Sequence, residues 1–132
     1  QRPLNLYLAR LNLALTPALA VVDGVVGMEG KGPVAGTPVA SGVALAGTNA
    51  LAVDILGSEL MGFDYRTVGY IWYLSQMRGL SREDIQVVGE DPTKCVTRYA
   101  PYEKTPELLS WWVPDWRERL SGSYLKTPAG SR

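Results

Sequence analysis

Residues 23–38 read Asp-Gly-Val-Val-Gly-Met-Glu-Gly-Lys-Gly-Pro-Val-Ala-Gly-Thr-Pro, with five glycines, two prolines and three charged side chains. They follow an apolar run, 18–22, with the character of a buried strand. No ordinary surface turn needs so many residues without a Cβ. A stretch of this kind lets backbone come close to a ligand, another strand or a partner chain. It is the strongest local constraint on how the chain folds, and the first place to look for a site.

The apolar pattern around it alternates between strand and helix. Leu4, Leu8, Leu11 and Leu15 recur at helical spacing, so 4–15 reads as an amphipathic helix ended by Pro17. Residues 18–23 then read as a short buried strand, with a glycine-rich loop running to about Pro38. A second strand is expected at 42–47, and Thr48 or Asn49 caps a helix over 50–61. Asp64 opens the next helix, 65–78, which Gly79 stops. Ser81 to Asp84 form one capped turn, and Ile85-Gln-Val-Val-Gly89 reads as a third strand.

Beyond residue 89 the character changes. Residues 93–100 read as extended. Thr105-Pro106 starts a helix with Pro at its first position, and Pro114 interrupts it before Trp116 and Leu120. Residues 121–132 are rich in Ser, Gly, Lys and Thr and are expected to fray. The fold class expected is α/β, a Rossmann-like three-layer domain with a mostly parallel sheet, or half of a larger domain. Its parts are an α/β unit over 1–100, a Trp-rich helical extension over 101–120 and a flexible tail over 121–132.

Composition narrows the chemistry. The 132 residues carry 13 basic and 13 acidic side chains, which argues against a broad nucleic-acid surface. There is no histidine, so no Ser-His-Asp or Cys-His pair can be built, and a zinc site of the usual ligands is not expected. The single cysteine, Cys95, excludes an internal disulfide and an iron–sulfur cluster held by this chain alone. A reducing, cytoplasmic setting fits. The longest apolar stretch, 13–22, is too short for a membrane span and is broken by Thr16 and Pro17. With no initiator methionine, Gln1 reads as a processed or excised end, and the chain as part of something longer.

The glycine-rich stretch is not a nucleotide motif. A P-loop needs Gly five residues before its Gly-Lys pair and Ser or Thr after the lysine, where this chain has Val25 and Gly32. Gly30 to Ala35 fit the dinucleotide pattern formally, but Pro38 falls where the helix should run. Two readings stay open. Backbone N–H groups of Gly27, Gly30 and Gly32 with Lys31 can form an anion-binding nest, or the glycines can let a folded loop lie across the sheet.

Asp23 stands at the expected carboxyl end of its strand, where open α/β sheets place ligands. A parallel second strand brings Thr48, Asn49 and the start of helix 50–61 to the same edge, a place suited to an anion. Asp54 lies in that helix's second turn. Asp23, Glu29 and Asp54 can together hold a divalent cation, or Asp23 and Glu29 can do acid–base work. The bland role for Asp54 is bracing the helix end. Leu108, Trp112, Trp116 and Leu120 would share one face of an unbroken helix, either binding a partner or packing the aromatics on the sheet. Cys95, beside Lys94 and Arg98, is either an activated thiol or a small buried residue.

The run from Val21 through Pro38, with Gly42-Val-Ala-Leu-Ala-Gly-Thr-Asn-Ala-Leu-Ala-Val-Asp54 after it, resembles the domain of unknown function 362 family. Members of that family are commonly described as iron–sulfur cluster-binding proteins. Leu60-Met-Gly-Phe-Asp64, Gly79-Leu80 and Ile85 to Gly89 extend the resemblance over about residues 4–100, as the C-terminal half of the family domain. Family members usually have Asp-Pro where this chain has Asn49-Ala50, and the ferredoxin-like cysteine segment of many members has no counterpart here. The resemblance implies a redox neighbourhood, with any 4Fe-4S cluster on a separate segment or partner chain, and names no reaction. The function expected is a ligand-binding or catalytic domain for a small anionic metabolite. Asp23, Glu29 and Lys31 would be its polar centre, and a divalent metal is left open. The alternative is a non-catalytic interaction module that completes a partner's sheet.

Overall fold

The structure, a computed structural model, describes residues 2–121. The glycine-rich stretch is not a loop. It is most of a long antiparallel hairpin, β1 (Ala20–Lys31) and β2 (Ala35–Gly47), turning through Gly32 and a cis Pro33. Val22 faces Leu45, and Lys31 faces Ala35 across the pair. Between the pairs Gly24–Val43 and Val26–Ala40, β2 spends one residue more than β1. Gly42 takes up that bulge with a φ of 65°, in the left-handed region where a residue without Cβ is at ease.

This corrects the expected sheet. Helix and strand are mixed as anticipated, but the described sheet has two antiparallel strands rather than a mostly parallel, Rossmann-like order. A Gly-Pro turn flanked by Val25, Val26 and Met28 on one side and Val39 on the other is also a hairpin signal, and hairpin pairing is local. The third expected strand, 85–89, is not a strand and joins no sheet.

The helices fall close to their expected positions. They are α1 (Arg2–Ala14), α2 (Ala50–Leu60) and α3 (Gly69–Arg78), with short 3-10 turns at Tyr65–Thr67, Arg82–Asp84 and Pro92–Lys94. Asn49 caps α2, its side-chain oxygen accepting the Ala52 N–H at 3.2 Å. The Ser81–Asp84 capping box forms as the sequence implies.

The hydrophobic core lies between helices, not on the sheet. Leu6 and Ala9 of α1, Leu51 and Ile55 of α2, and Ile71, Tyr73 and Leu74 of α3 are buried together with Val113, Trp116 and Leu120. After Arg98 the chain returns through α4 (Thr105–Leu108) and α5 (Trp116–Ser121); the first ends at Leu108, well before Pro114 where the interruption was expected. The aromatics of this return do not pack on the sheet. Trp111, Trp112 and Trp116 surround Trp72 of α3 at ring-centroid distances of 5.2–5.5 Å. Tyr73 ties the return down: its hydroxyl accepts the Val113 N–H at 3.0 Å and donates to the Trp111 carbonyl at 3.2 Å. The tail expected beyond residue 121 lies outside the described residues.

Candidate functional site

The hairpin sets where the polar residues of β1 stand. Residues 23, 27, 29 and 31 share one face of the strand, since side chains alternate. Each has a local partner. Asp23 Oδ1 accepts the Val25 N–H at 3.1 Å, a side-chain turn beside the bulge. Glu29 accepts the Ala100 N–H at 2.6 Å, and Lys31 pairs with Glu103 at 3.3 Å. Gly27 lies beneath Tyr99, whose hydroxyl meets the Ser41 hydroxyl at 2.5 Å. The segment 99–103 is thus strapped across the outer half of the hairpin by Gly27, Glu29 and Lys31.

This geometry separates the expected acidic pair. Asp23 and Glu29 stand six residues apart on one extended strand, about 20 Å at ~3.3 Å per residue. That span is too long for two carboxylates to act on one small group. Gly27 and Gly30 belong to the strand and Gly32 to its turn. Among the described residues no group of three or more His, Cys, Asp or Glu side chains is placed to hold a metal ion.

Asp54 is elsewhere again. It points from α2 toward α3, half-buried, and its Oδ2 accepts the Tyr70 hydroxyl at 3.2 Å. Burial pushes its carboxyl above the usual range, and the Tyr70 hydrogen bond partly offsets this. Tyr70 is pushed up in turn, by burial first and then by the neighbouring Asp54.

The concave feature of the described residues is a half-open cleft of about 650 Å³. One wall is the outer edge of β2 at 42–47, which pairs with no strand. The floor is the α2 face of Ala52, Val53 and Leu56, and the far wall is the segment 84–90. Thr48 and Asn49 stand at the helix start, and Cys95 lines the cleft as well. Asp84 and Glu90 are the only charged lining groups. The Ser81 N–H and hydroxyl, both 2.8 Å away, hold Asp84 below the usual carboxylate range.

Of the residues picked out in the sequence, the cleft therefore gathers Thr48 and Asn49 and leaves out Asp23, Gly27, Glu29, Gly30, Lys31, Gly32 and Asp54. It adds the 84–90 wall and Cys95. The apolar run 85–88 is visible in sequence, but its position across from β2 is a tertiary fact.

Residues 1–59, the N-terminal part of the chain, match the family described as Domain of unknown function (DUF362). The match stops short of residue 100, and the assignment to the C-terminal half of the family domain is not borne out. No curated protein and no solved structure matches the chain. No described helix is long and apolar enough to cross a membrane.

Proposed function

We propose that this chain is a ligand-binding portion of a larger α/β protein, with its ligand in the cleft between β2, the start of α2 and segment 84–90. The observation that carries this reading is the cleft itself: about 650 Å³, with an apolar floor and a few polar groups at its ends. That volume falls in the ordinary range for small-molecule sites. The polar groups of the lining differ in character. At Thr48 and Asn49 the first N–H groups of α2 suit a polar or anionic group. Asp84 and Glu90, at opposite ends of the 84–90 wall and with no lining cation, suit an uncharged or cationic one. A small polar metabolite with an apolar middle fits both. In the redox-linked setting that the family resemblance implies, the 4Fe-4S cluster belongs to another segment or partner.

The test is ligand-induced stabilisation of the chain across a panel of small metabolites, inorganic phosphate and magnesium. A cleft ligand raises the melting temperature of the wild type, and Ala46→Trp, which fills the cleft wall, removes the rise. A rise that survives Ala46→Trp, or none with any panel member, counts against the reading.

A second reading is favoured by the hairpin. No residue of β1 or β2 is fully buried, although one face of β1 carries Val22, Val26 and Met28. Such a face is suited to being covered by another layer. On this reading the chain completes a sheet with a strand from elsewhere, seated against the free edge of β2. Slowed amide exchange at 42–47 on addition of the native partner would support it over a small ligand.

A further inference from the structure

The cleft has the form of a missing strand. Its near wall is the edge of β2 from Gly42 to Gly47, which among the described residues pairs with no strand but β1. Backbone N–H and C=O groups along such an edge are a template for another strand. Val43, Leu45 and Gly47 are half-buried, and Ala44 and Ala46 between them are exposed. A Cβ on Gly47 would stand 2.9 Å from Val53, and one on Gly57 3.9 Å from Leu45, so the half-buried face lies on α2. Beyond the edge, α2 continues as the apolar floor of Ala52, Val53 and Leu56. Burial alternates again on the far wall: Ile85 and Val87 are half-buried, Gln86 and Val88 exposed.

Dimensions set how much chain fits. The edge from 42 to 47 spans about 17 Å at ~3.3 Å per residue. Spread along it, about 650 Å³ is a cross-section of roughly 40 Å². A strand in a packed sheet takes about 48 Å², the product of strand and layer spacings, whereas a helix is at least about 10 Å across. The cleft has room for one strand with small side chains, and not for a helix.

Charge indicates which strand. Asp84 and Glu90 line opposite ends of the 84–90 wall, and no cation lines the cleft. β2 has no charged residue between Ala35 and Gly47, so edge-to-edge pairing of two copies would leave these carboxylates unanswered. An extended segment with a basic residue at each end answers both.

We propose that the gap between β2 and segment 84–90 receives one extended strand of a partner chain, with small apolar side chains at alternate positions on the α2 floor and a Lys or Arg toward each of Asp84 and Glu90. The proposal rests on the sheet-completing reading above and gives its occupant. The probe is a blocked peptide, Lys-Val-Ala-Val-Ala-Val-Lys, titrated into the chain beside two controls. One control has Glu for both lysines, and the other has Pro-Pro at its centre, which removes N–H donors toward either wall. The Lys peptide binds, salt weakens it, and it slows exchange at those amides of 43–47 not already bonded to β1. The Glu peptide binds at least about tenfold more weakly, and the Pro-Pro peptide gives no protection. An Asp84→Asn, Glu90→Gln double variant, its melting temperature checked, no longer distinguishes Lys from Glu. Protection of 43–47 with equal affinity of the wild type for the Lys and Glu peptides overturns the basic occupant and leaves the sheet-completing reading standing. Absence of protection with every peptide overturns both, as does equal binding of the Pro-Pro peptide.

Discussion

Tyr99 occupies the space that a side chain at Gly27 would need. A Cβ built there would stand 1.9 Å from the Tyr99 hydroxyl oxygen and 2.7 Å from the ring carbon that bears it. The contact joins residues 72 positions apart and fixes the 99–103 segment on the hairpin. Gly27→Ala is expected to push Tyr99 off the strand, break its hydrogen bond to Ser41, and destabilise the chain by about 1–3 kcal/mol. In a Tyr99→Ala background the same change should cost much less. Denaturant unfolding of the four proteins of this double-mutant cycle measures the coupling.

The straps beyond Gly27 differ in strength. Lys31 and Glu103 are 61% and 58% exposed, so Lys31→Ala should change stability by no more than about 0.5 kcal/mol. Glu29→Ala frees the Ala100 N–H and should cost about 1 kcal/mol. Neither substitution should alter a ligand's effect on melting temperature, because neither residue lines the cleft. A loss of ligand response in either variant would return attention to the hairpin.

Asp54 and Tyr70 predict a pH signature. The folded-state pKa of Asp54 is raised by burial, so the folded chain holds this proton more tightly than the unfolded one. Stability then falls as pH rises from the unfolded value of 3.8 through the higher folded value, and is flat above it. Asp54→Asn keeps an acceptor for Tyr70 and removes that loss, so its gain over wild type should appear at neutral pH and vanish near pH ~3. Tyr70→Phe should act oppositely, costing more at neutral pH than in acid. Melting temperatures of the three proteins across pH decide it.

Tyr73 holds the C-terminal return through its hydroxyl as well as through its ring, which packs on Trp111 and Trp116. Tyr73→Phe keeps the ring packing but leaves the buried Val113 N–H without its acceptor. A cost of about 1–3 kcal/mol is expected, with loosening concentrated in residues 111–121. Amide exchange of Val113, faster in the variant than global unfolding accounts for, is the check.

What the sequence shows and hides divides along local and non-local lines. Helix positions, the Asn49 cap and the Ser81–Asp84 box depend on neighbouring residues, and these were legible. The pairing of β1 was not, because a glycine-rich apolar strand serves a parallel sheet and a hairpin equally well. The leucine repeat of α1 was visible, but a helix with two apolar stripes does not say which one faces inward. Asp23, Glu29 and Asp54 stood out as acids near glycines or a helix start; Asp23 braces a local turn at Val25, and the partners of Glu29 and Asp54 are revealed only by the tertiary structure. Thr48 and Asn49 were found because a helix start is a local event. Cys95 and the 84–90 wall come to the same cleft through contacts distant in sequence from β2.

The central claim is that ligand binding belongs to the cleft and not to the glycine-rich hairpin. Protein-observed NMR with a library of small polar metabolites tests it directly. The account predicts hits whose amide shifts concentrate at 43–49, at 84–90 and at Cys95. Hits that map to 23–31 instead, or a library that leaves the cleft amides unmoved, would contradict it.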